Sequence, residues 1–287
     1  MFKKYLRRIR NLPTLPTILA LIIATLDDPK SSVGNLEKII RHDQALTAKL
    51  LAVANSPYYG FRHEITSVSR AVVAIGYNEV RNLCMGLSLM NYMHPETFKD
   101  RREAEIMWLH SLLASEASRI VAEKTGKVDA EMAFTAGLLH DVGKVILAAF
   151  FPDEMLVLKR LIKERSYFLL EAEEVLGMSH QEVGQHISQE WKLPEMFAEV
   201  LGRHHKPRPY HPFFNMIAVV HIADNLARMT GLGGTYRPDA MGIHTQALDG
   251  LRLTMADVDE CYDSLMERKQ AVISLWESMV EPQNRPV

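Results

Sequence analysis

The sequence contains little cysteine. Only Cys84 and Cys261 occur among 287 residues, and they stand far apart, outside any Cys-x-x-Cys spacing. This argues against a disulfide framework and against a zinc site made of thiolates. Two isolated cysteines are typical of a reducing compartment, so we expect a cytoplasmic protein.

The chain also lacks an excess of charge of either sign. It carries 33 Lys and Arg residues against 35 Asp and Glu residues, a formal charge of −2. A chain so balanced has no general attraction for polyanions. We therefore expect no nucleic-acid partner.

Long hydrophobic runs are absent as well. The apolar run Ile18–Leu26 follows basic residues in the order of a signal peptide, but Pro13 and Pro16 intervene and Asp27 follows. The run is far shorter than the roughly 20 apolar residues of a transmembrane helix. We expect no transmembrane segment and interpret the run as a buried first helix.

What the sequence does contain is helical periodicity. With 47% hydrophobic and 24% charged residues it has the composition of a globular protein, and apolar residues recur at helical spacing between short turns. No run of alternating residues persists long enough for a strand. Helix caps are predicted at Ser32, Asp43, Thr66 and Asn78. The sequence therefore predicts an all-α fold, a multi-helix bundle.

The bundle divides into two parts in this interpretation. The segment 93–102, with Pro95 and a cluster of charges, is the predicted boundary. It separates an N-terminal helical subdomain, residues 12–94, from a helical core, residues 95–230. We expect the subdomain to pack on the core.

A C-terminal extension, residues 231–287, follows the core. Residues 237–253 contain two glycines, Gly242 and Gly250, and are predicted to be irregular. Thr254 and Asp257 form a variant capping box at the start of a terminal helix.

The strongest functional signal is the run His140-Asp141-Val142-Gly143-Lys144. An imidazole beside a carboxylate can share a pair of metal ions, and these ligand types suit iron, manganese, nickel or zinc. The other side chains of ligand type that accompany it are His110, His180, His204, His205 and Asp224. Their number and order indicate a metal site.

Each of these residues also has a purely structural interpretation. His110 can be a core histidine bonded to a carbonyl group, and His204 and His205 can complement the negative end of a helix. Asp224 can pair with Arg228 at i+4. A metal site is excluded only if all of these structural interpretations are correct at the same time, so we favour metal binding.

Three further interpretations concern neighbouring residues. Lys144 can be the counter-charge of a His-Asp pair packed at a buried helix end. His221 lies one turn before Asp224 and can orient a ligand or simply be packed in the interior, and we favour the packed interpretation. The dipeptide His42-Asp43 repeats the His-Asp pattern, but there the aspartate is the predicted helix cap.

Further short segments occur in order along the chain. Those in the first half are Leu12-Pro13-Thr14-Leu15-Pro16, Asp43-Gln44-Ala45-Leu46, Asn55-Ser56-Pro57 and Ala74-Ile75-Gly76. Those in the second half are Trp108-Leu109-His110-Ser111, Ala136-Gly137-Leu138-Leu139-His140-Asp141, His180-Gln181-Glu182-Val183-Gly184, Trp191-Lys192-Leu193-Pro194 and His204-His205. Together they resemble the HDOD domain, a bacterial signalling module related to the HD phosphohydrolases. The resemblance covers roughly residues 12–229 and implies an HDOD domain over 12–230 with an HD-like core.

This resemblance implies a role for each ligand-type residue. The core metal site would consist of His110, His140, Asp141 and Asp224. A second ion would be held by His180, His204 and His205, with Asp141 as the bridge between the ions. Lys144 would contact a substrate phosphate or pair with Asp141.

The sequence departs from the catalytic relatives at two places. The HD-GYP phosphodiesterases, which cleave cyclic diguanylate, have Gly-Tyr-Pro after the paired histidines, whereas Lys206-Pro207-Arg208 follows His205 here. Three-metal members place a glutamate one turn before the first ligand histidine, where this chain has Ile106. We therefore expect two ions rather than three, and the resemblance does not extend to that substrate.

Three functions compete, in the following order. The first is a non-catalytic signalling or output domain; no sensor, receiver or cyclase pattern occurs in these residues, so we expect a separate signalling protein as its partner. The second is a metal-dependent phosphohydrolase or phosphodiesterase acting on a nucleotide or other phosphoester, with Lys144 and Asp141 as catalytic residues. The third is a redox or ligand sensor based on iron.

Overall fold

The computed structural model describes residues 17–25, 32–56, 58–92, 101–232 and 242–280. Every regular element among these residues is a helix, so the all-α prediction is confirmed. The chain divides into two compact units, which consist of residues 15–92 with 267–287 and of residues 1–14 with 93–266. The Leu12–Pro16 motif and the predicted boundary at Pro95 lie outside the described residues.

The unit containing residues 15–92 is built from short helices. They are α1 (Thr17–Ala24), α2 (Val33–Arg41), α3 (Gln44–Ala54), α4 (Val68–Ile75) and α5 (Tyr77–Tyr92). Side chains with no exposed surface, among them Leu36, Ile40, Leu46 and Leu50, form its core. Burying such side chains at helical spacing is what holds helices this short in place.

Two of the four predicted caps in this unit are confirmed. The Ser32 hydroxyl accepts a hydrogen bond from the Asn35 N–H at 3.3 Å, and the Asp43 carboxylate accepts one from the Leu46 N–H at 2.9 Å. The other two predictions are wrong. The cap of α4 is Ser67 rather than the residue before it, Thr66, and α5 starts at Tyr77, which places Asn78 inside its first turn.

The unit containing residues 93–266 holds most of the helices. They are α6 (Arg101–Thr125), α7 (Ala130–Leu139), α8 (Val142–Phe150), α9 (Pro152–Arg165), α10 (Leu169–Leu176), α11 (His180–Glu190), α12 (Glu195–Arg203), α13 (Phe214–Met229), α14 (Thr245–Leu251) and the first part of α15 (Met255–Val280). The segment predicted to be irregular therefore contains a helix, α14. The capping box at the start of α15 is confirmed, because the Asp257 N–H donates to Thr254 and the Thr254 N–H donates to Asp257.

Two glycines allow close helix packing in this unit. A Cβ on Gly137 of α7 would lie 2.5 Å from Ser118 Oγ and 2.7 Å from the Ala114 carbonyl oxygen, both on α6. A Cβ on Gly143 of α8 would lie only 1.9 Å from the His180 carbonyl oxygen at the start of α11. A side chain at either position would force the helices apart. These contacts bring the ends of α7, α8 and α11 and the middle of α6 together.

One stretch within the described residues, Ala130–Phe150, is long and apolar enough to cross a membrane by length and composition alone. It consists of α7 and α8, and 78% of its apolar window is buried inside the protein. Its apolar character therefore reflects helices packed in the core of this unit.

Candidate metal centre

The His140-Asp141 dipeptide lies at the junction of α7 and α8. His140 is the C-cap residue of α7, and Asp141 is the N-cap residue of α8. An aspartate in that position usually accepts a hydrogen bond from the first turn of its helix. The Asp141 side chain makes no such bond, and its buried Oδ1 has no hydrogen-bond partner among the described residues. The carboxylate therefore does not cap its own helix.

Two groups of ligand-type side chains meet at Asp141. One group is His110, His140, Asp141 and Asp224, the other is Asp141, His180, His204 and His205, and the ligand atoms within each lie within 4.8 Å of one another. The two oxygens of Asp141 face different groups. Oδ2 lies 3.3 Å from His140 Nε2 and 3.6 Å from His110 Nε2. Oδ1 lies 3.5 Å from His180 Nε2 and 3.6 Å from His204 Nε2.

The remaining distances have the spacing of metal ligands. Asp224 Oδ1 lies 3.1 Å from His110 Nε2, and the Nε2 atoms of His180 and His205 are 3.0 Å apart. Two atoms bound to one ion at about 2.0–2.2 Å lie roughly 3–3.5 Å from each other. The donor atoms of each group therefore fit one ion, and a carboxylate oxygen of Asp141 is present in both groups.

Hydrogen bonds behind the rings orient two of the histidines. His140 Nδ1 donates to the Gly137 carbonyl oxygen at 2.7 Å. His204 Nδ1 lies 3.2 Å from the carbonyl oxygens of both Val200 and Leu201, in the last turn of α12. A histidine that donates its Nδ1 proton outward leaves Nε2 as the nitrogen that can bind a metal, in the neutral form of the ring. That form of the ring binds metal.

The centre is deeply buried, and no residue in either group is more than 5% exposed. Buried polar atoms nearly always have a hydrogen-bond partner. Among the described residues, the atoms of the centre that have none are both ring nitrogens of His110, Nε2 of His140 and of His204, Nδ1 of His205 and Oδ1 of Asp141. Bound cations would supply partners for those of these atoms that face the two groups, such as Nε2 of His110, His140 and His204 and Oδ1 of Asp141, so the residues present fit a metal centre.

Electrostatics keep both carboxylates of the centre ionised. Burial alone raises the pKa of Asp141, but the charges of His140 and Lys144 outweigh it and hold the pKa well below its usual range. Burial also raises the pKa of Asp224, but the charge of the Arg228 guanidinium contributes most to lowering it, and the pKa lies well below its usual range. Each of the two carboxylates therefore carries a negative charge, which favours a cation.

The buried imidazoles of the centre differ in the direction in which their pKa values are shifted. Burial lowers the pKa of His110, and it lowers the pKa of His204 and of His205 well below the ordinary imidazole range. Burial also disfavours the charged form of His140, but the adjacent Asp141 carboxylate raises its pKa to about 9. Without an ion, His140 holds a proton that a metal would displace.

Two cations accompany the carboxylates. Lys144 Nζ donates to Asp141 Oδ2 at 2.5 Å, which agrees with the interpretation of Lys144 as the counter-charge of the His-Asp pair. Arg228 Nε donates to Asp224 Oδ1 at 2.9 Å, and a second guanidinium nitrogen contacts Oδ2. The side chains of Lys144 and Arg228 are 18% and 21% exposed, more than any side chain of the two groups. Each carboxylate of the centre is therefore paired with a partly exposed cation.

The structural interpretations of the ligand residues are only partly realised. Asp224 does pair with Arg228, and His204 does bond the last carbonyls of its helix, but both side chains also lie in the centre. His110 bonds no carbonyl group among the described residues. His42 lies in the other unit and bonds the Lys38 carbonyl oxygen, outside both groups.

His221 supports the centre without joining it. Its Nδ1 donates to the His204 carbonyl oxygen at 2.8 Å, and its Nε2 accepts the His244 backbone N–H at 3.0 Å. Both ring nitrogens are used, so no lone pair remains for a metal. The packed interpretation of His221 agrees with these bonds, which also fix the backbone of a candidate ligand.

Glu173 was not among the sequence-predicted site residues. Its carboxylate is 1% exposed, accepts the His180 Nδ1 proton at 2.7 Å and accepts the His180 backbone N–H at 3.1 Å. The sequence gives no sign of this role, because Glu171 and Glu174 on the same helix are equally acidic and both are exposed. The contact depends on the turn that brings the end of α10 onto the start of α11.

The family model of the HDOD domain matches residues 12–207 of the chain. This chain belongs to the HDOD family. The matched residues include six of the seven side chains of the centre, and Asp224 lies beyond them on α13. The predicted end of the domain near residue 230 remains a prediction.

Solved structures with the same fold extend over nearly the whole chain. An HDOD domain protein of unknown function from Geobacter sulfurreducens is 28% identical with a TM-score of 0.79, over 96% of this chain and 99% of that one. A protein proposed to act in signal transduction from Marinobacter aquaeolei is 22% identical with a TM-score of 0.81, over 97% of this chain and 65% of that one.

A relative among curated proteins is longer. An uncharacterised protein from Treponema pallidum is 24% identical over 221 residues, which are 75% of this chain. The chain spans 42% of the length of that relative.

Proposed function

We propose that this chain is a bacterial signal-transduction protein, located in the cytoplasm, whose HDOD domain holds two divalent transition-metal ions. The observation that carries the proposal is the convergence of seven buried ligand side chains, together with buried ring nitrogens and one Asp141 oxygen that have no hydrogen-bond partner among the described residues. Iron, manganese, nickel and zinc all accept such nitrogen and oxygen ligands.

The proposed ligands divide between the ions as the two groups do. His110, His140 and Asp224 would hold one ion, His180, His204 and His205 would hold the other, and Asp141 would contribute one oxygen to each. When bound, such a pair of ions would polarise a phosphate or a similar anionic group. Lys144, which is partly exposed and already bonded to Asp141, would orient that group by charge and hydrogen bonding.

For this reason we propose an anionic ligand, such as a nucleotide or another phosphoester, and a protein partner that responds to its binding. Positive charge from Lys144 and Arg228 beside a buried centre supports such a ligand. The charge balance of the whole chain offers no comparable attraction.

A metal-dependent phosphohydrolase is the second candidate. It is favoured by one observation, the sharing of the Asp141 carboxylate between two ligand groups with Lys144 beside it. In that case Lys144 would hold the phosphate, and Asp141 would keep the two halves of the centre in register. A solved structure with the same fold, a proposed phosphohydrolase from Shewanella amazonensis, is 19% identical with a TM-score of 0.76.

Elemental analysis of untagged protein tests the proposal. The protein is loaded anaerobically with iron, manganese or zinc and desalted, and we expect about two ions per chain. His42→Ala is the control, since that exposed histidine lies outside both groups. A wild-type protein that retains no ion from any of these metals would show that the proposal is wrong.

A further inference from the structure

The two ligand groups differ in the charges that surround them. His180 belongs to the group with three histidines, and behind it stands the buried Glu173 carboxylate. Asp224 belongs to the other group, and behind it stands the Arg228 guanidinium. One group therefore has an additional negative charge in contact with a ligand, and the other has an additional positive charge.

Glu173 acts on His180 in two ways. Its oxygens lie 2.7 and 2.9 Å from His180 Nδ1, so this nitrogen carries the proton and Nε2 faces Asp141 and His205. A carboxylate behind a ligand histidine also makes the ring a stronger electron donor toward a cation. The bond from the His180 N–H to the same carboxylate fixes the start of α11, and with it the ring position.

Arg228 acts on Asp224 in the opposite direction. It binds both oxygens of the carboxylate, the same atoms that face His110 and His205. An ion entering this group must share Asp224 with the guanidinium, and the two positive charges repel each other. When no ion is bound, Arg228 stabilises the buried Asp224 carboxylate by pairing with it. A bound metal ion would otherwise have to provide that stabilisation.

We propose that the centre fills in order, with Glu173 as a positioning residue that makes the His180 group the tighter site and Arg228 as the residue that weakens the Asp224 group. This proposal rests on the proposed metal centre and adds its regulation. At limiting metal concentration the protein would hold one ion, in the group formed by Asp141, His180, His204 and His205. The second ion would enter only at higher concentration.

Metal titration of the apo protein tests this order. Zinc affinity is measured by competition with a chromophoric chelator, and cobalt absorption reports the ligand environment of each step. For the wild type we expect two steps of unequal affinity. Glu173→Gln should weaken the tighter step by about 10–100-fold, as the loss of a carboxylate hydrogen-bonded to a ligand histidine does, and leave the weaker step unchanged.

Matched variants separate charge from structure. Glu174→Gln changes an exposed glutamate next to Glu173 and should leave both steps as in the wild type. Arg228→Gln should strengthen the weaker step by about tenfold, because it removes one unit of positive charge next to the ion. Arg228→Lys, which keeps the charge, should restore the wild-type affinity.

Several outcomes would overturn the inference. Two binding steps of equal affinity in the wild type would show that the two ions do not bind in order. Loss of the weaker step in Glu173→Gln, or equal weakening of both steps with a lower melting temperature of the apo protein, would give Glu173 a merely structural role. If Glu173→Gln does not fold, an unchanged weaker step in Arg228→Gln still contradicts the proposal. A wild type that binds no zinc or cobalt contradicts the proposed function itself, whereas unchanged titrations of both variants contradict only the order.

Discussion

A Cβ on Gly143 would lie 1.9 Å from the carbonyl oxygen of His180. The contact is to backbone, which cannot rotate away as the end of a side chain can. The glycine two residues after Asp141 is therefore needed to bring the start of α11, with His180, onto the junction that carries His140 and Asp141.

Gly143→Ala tests this packing. We expect the variant to lose about 1–3 kcal/mol of unfolding free energy, the usual cost of overpacking, and to bind metal more weakly because His180 moves away from Asp141. Denaturant unfolding and metal titration measure the two effects. Gly34→Ala is the control, since its added Cβ meets nothing closer than Ser32 Oγ at 3.8 Å. Wild-type stability and affinity in Gly143→Ala would contradict this account of the junction.

Substitution of Asp141 and substitution of Asp224 should reduce the amount of bound metal to different extents. Asp141→Asn should lower the retained metal to near zero, because one of its oxygens faces each ligand group. Asp224→Asn should leave about half the metal, because only one group contains Asp224. Elemental analysis after desalting distinguishes the two results, with His42→Ala as the control. Retention of one ion by Asp141→Asn would show that the carboxylate is not shared.

Removing the metal should lower stability without unfolding the helices. An ion present at about 100 times its Kd stabilises the native state by about 2.7 kcal/mol, so chelation should lower Tm by roughly 5–10 °C. The large apolar core should hold the helices together at room temperature. Circular dichroism in the presence of a chelator measures both quantities. Loss of most of the helical signal at room temperature would mean that the metal is required for folding.

Metal affinity should fall as the pH falls. The pKa of His140 is raised to about 9 in the metal-free protein, so below that pH an ion must displace a proton from this ring. His204 and His205 have lowered pKa values and are already neutral there. As the pH falls from about 8.5 to about 7, the apparent Kd for the metal should therefore rise by up to about tenfold per pH unit. Calorimetry in buffers of different ionisation enthalpy counts the released protons, and an affinity independent of pH in this range would contradict the prediction.

Turnover distinguishes a signalling domain from an enzyme. We expect no appreciable cleavage of cyclic diguanylate, because the residues after His205 differ from those of the phosphodiesterases that act on it. Any hydrolysis should be confined to other nucleotides or small phosphoesters, require added manganese or iron, and be abolished in Asp141→Ala. A screen of nucleotides and cyclic dinucleotides with the metal-loaded protein measures this. Brisk cleavage of cyclic diguanylate that is lost in Asp141→Ala and impaired in Lys144→Ala would make the protein a phosphodiesterase.

The sequence by itself determined the fold class and the candidate ligands. Helical periodicity and caps such as Ser32 and Asp43 are local properties, since a hydroxyl or carboxylate bonds an N–H three residues away. The His140-Asp141 dipeptide and its accompanying histidines could be found by residue type and order. Errors arose where the chain offers two adjacent cap residues, as at Thr66 and Ser67, because local rules do not choose between them.

Only the tertiary structure decided which polar groups stand behind the ligands. Glu173 and Arg228 cannot be distinguished in the sequence from other charged helix residues, because their roles depend on contacts between helices and on burial. The same is true of Asp141, whose two oxygens face histidines brought together by four separate helix segments. Ligand identity is a property of residue type, but ligand geometry is a property of packing, and packing is determined by contacts between residues far apart in the chain.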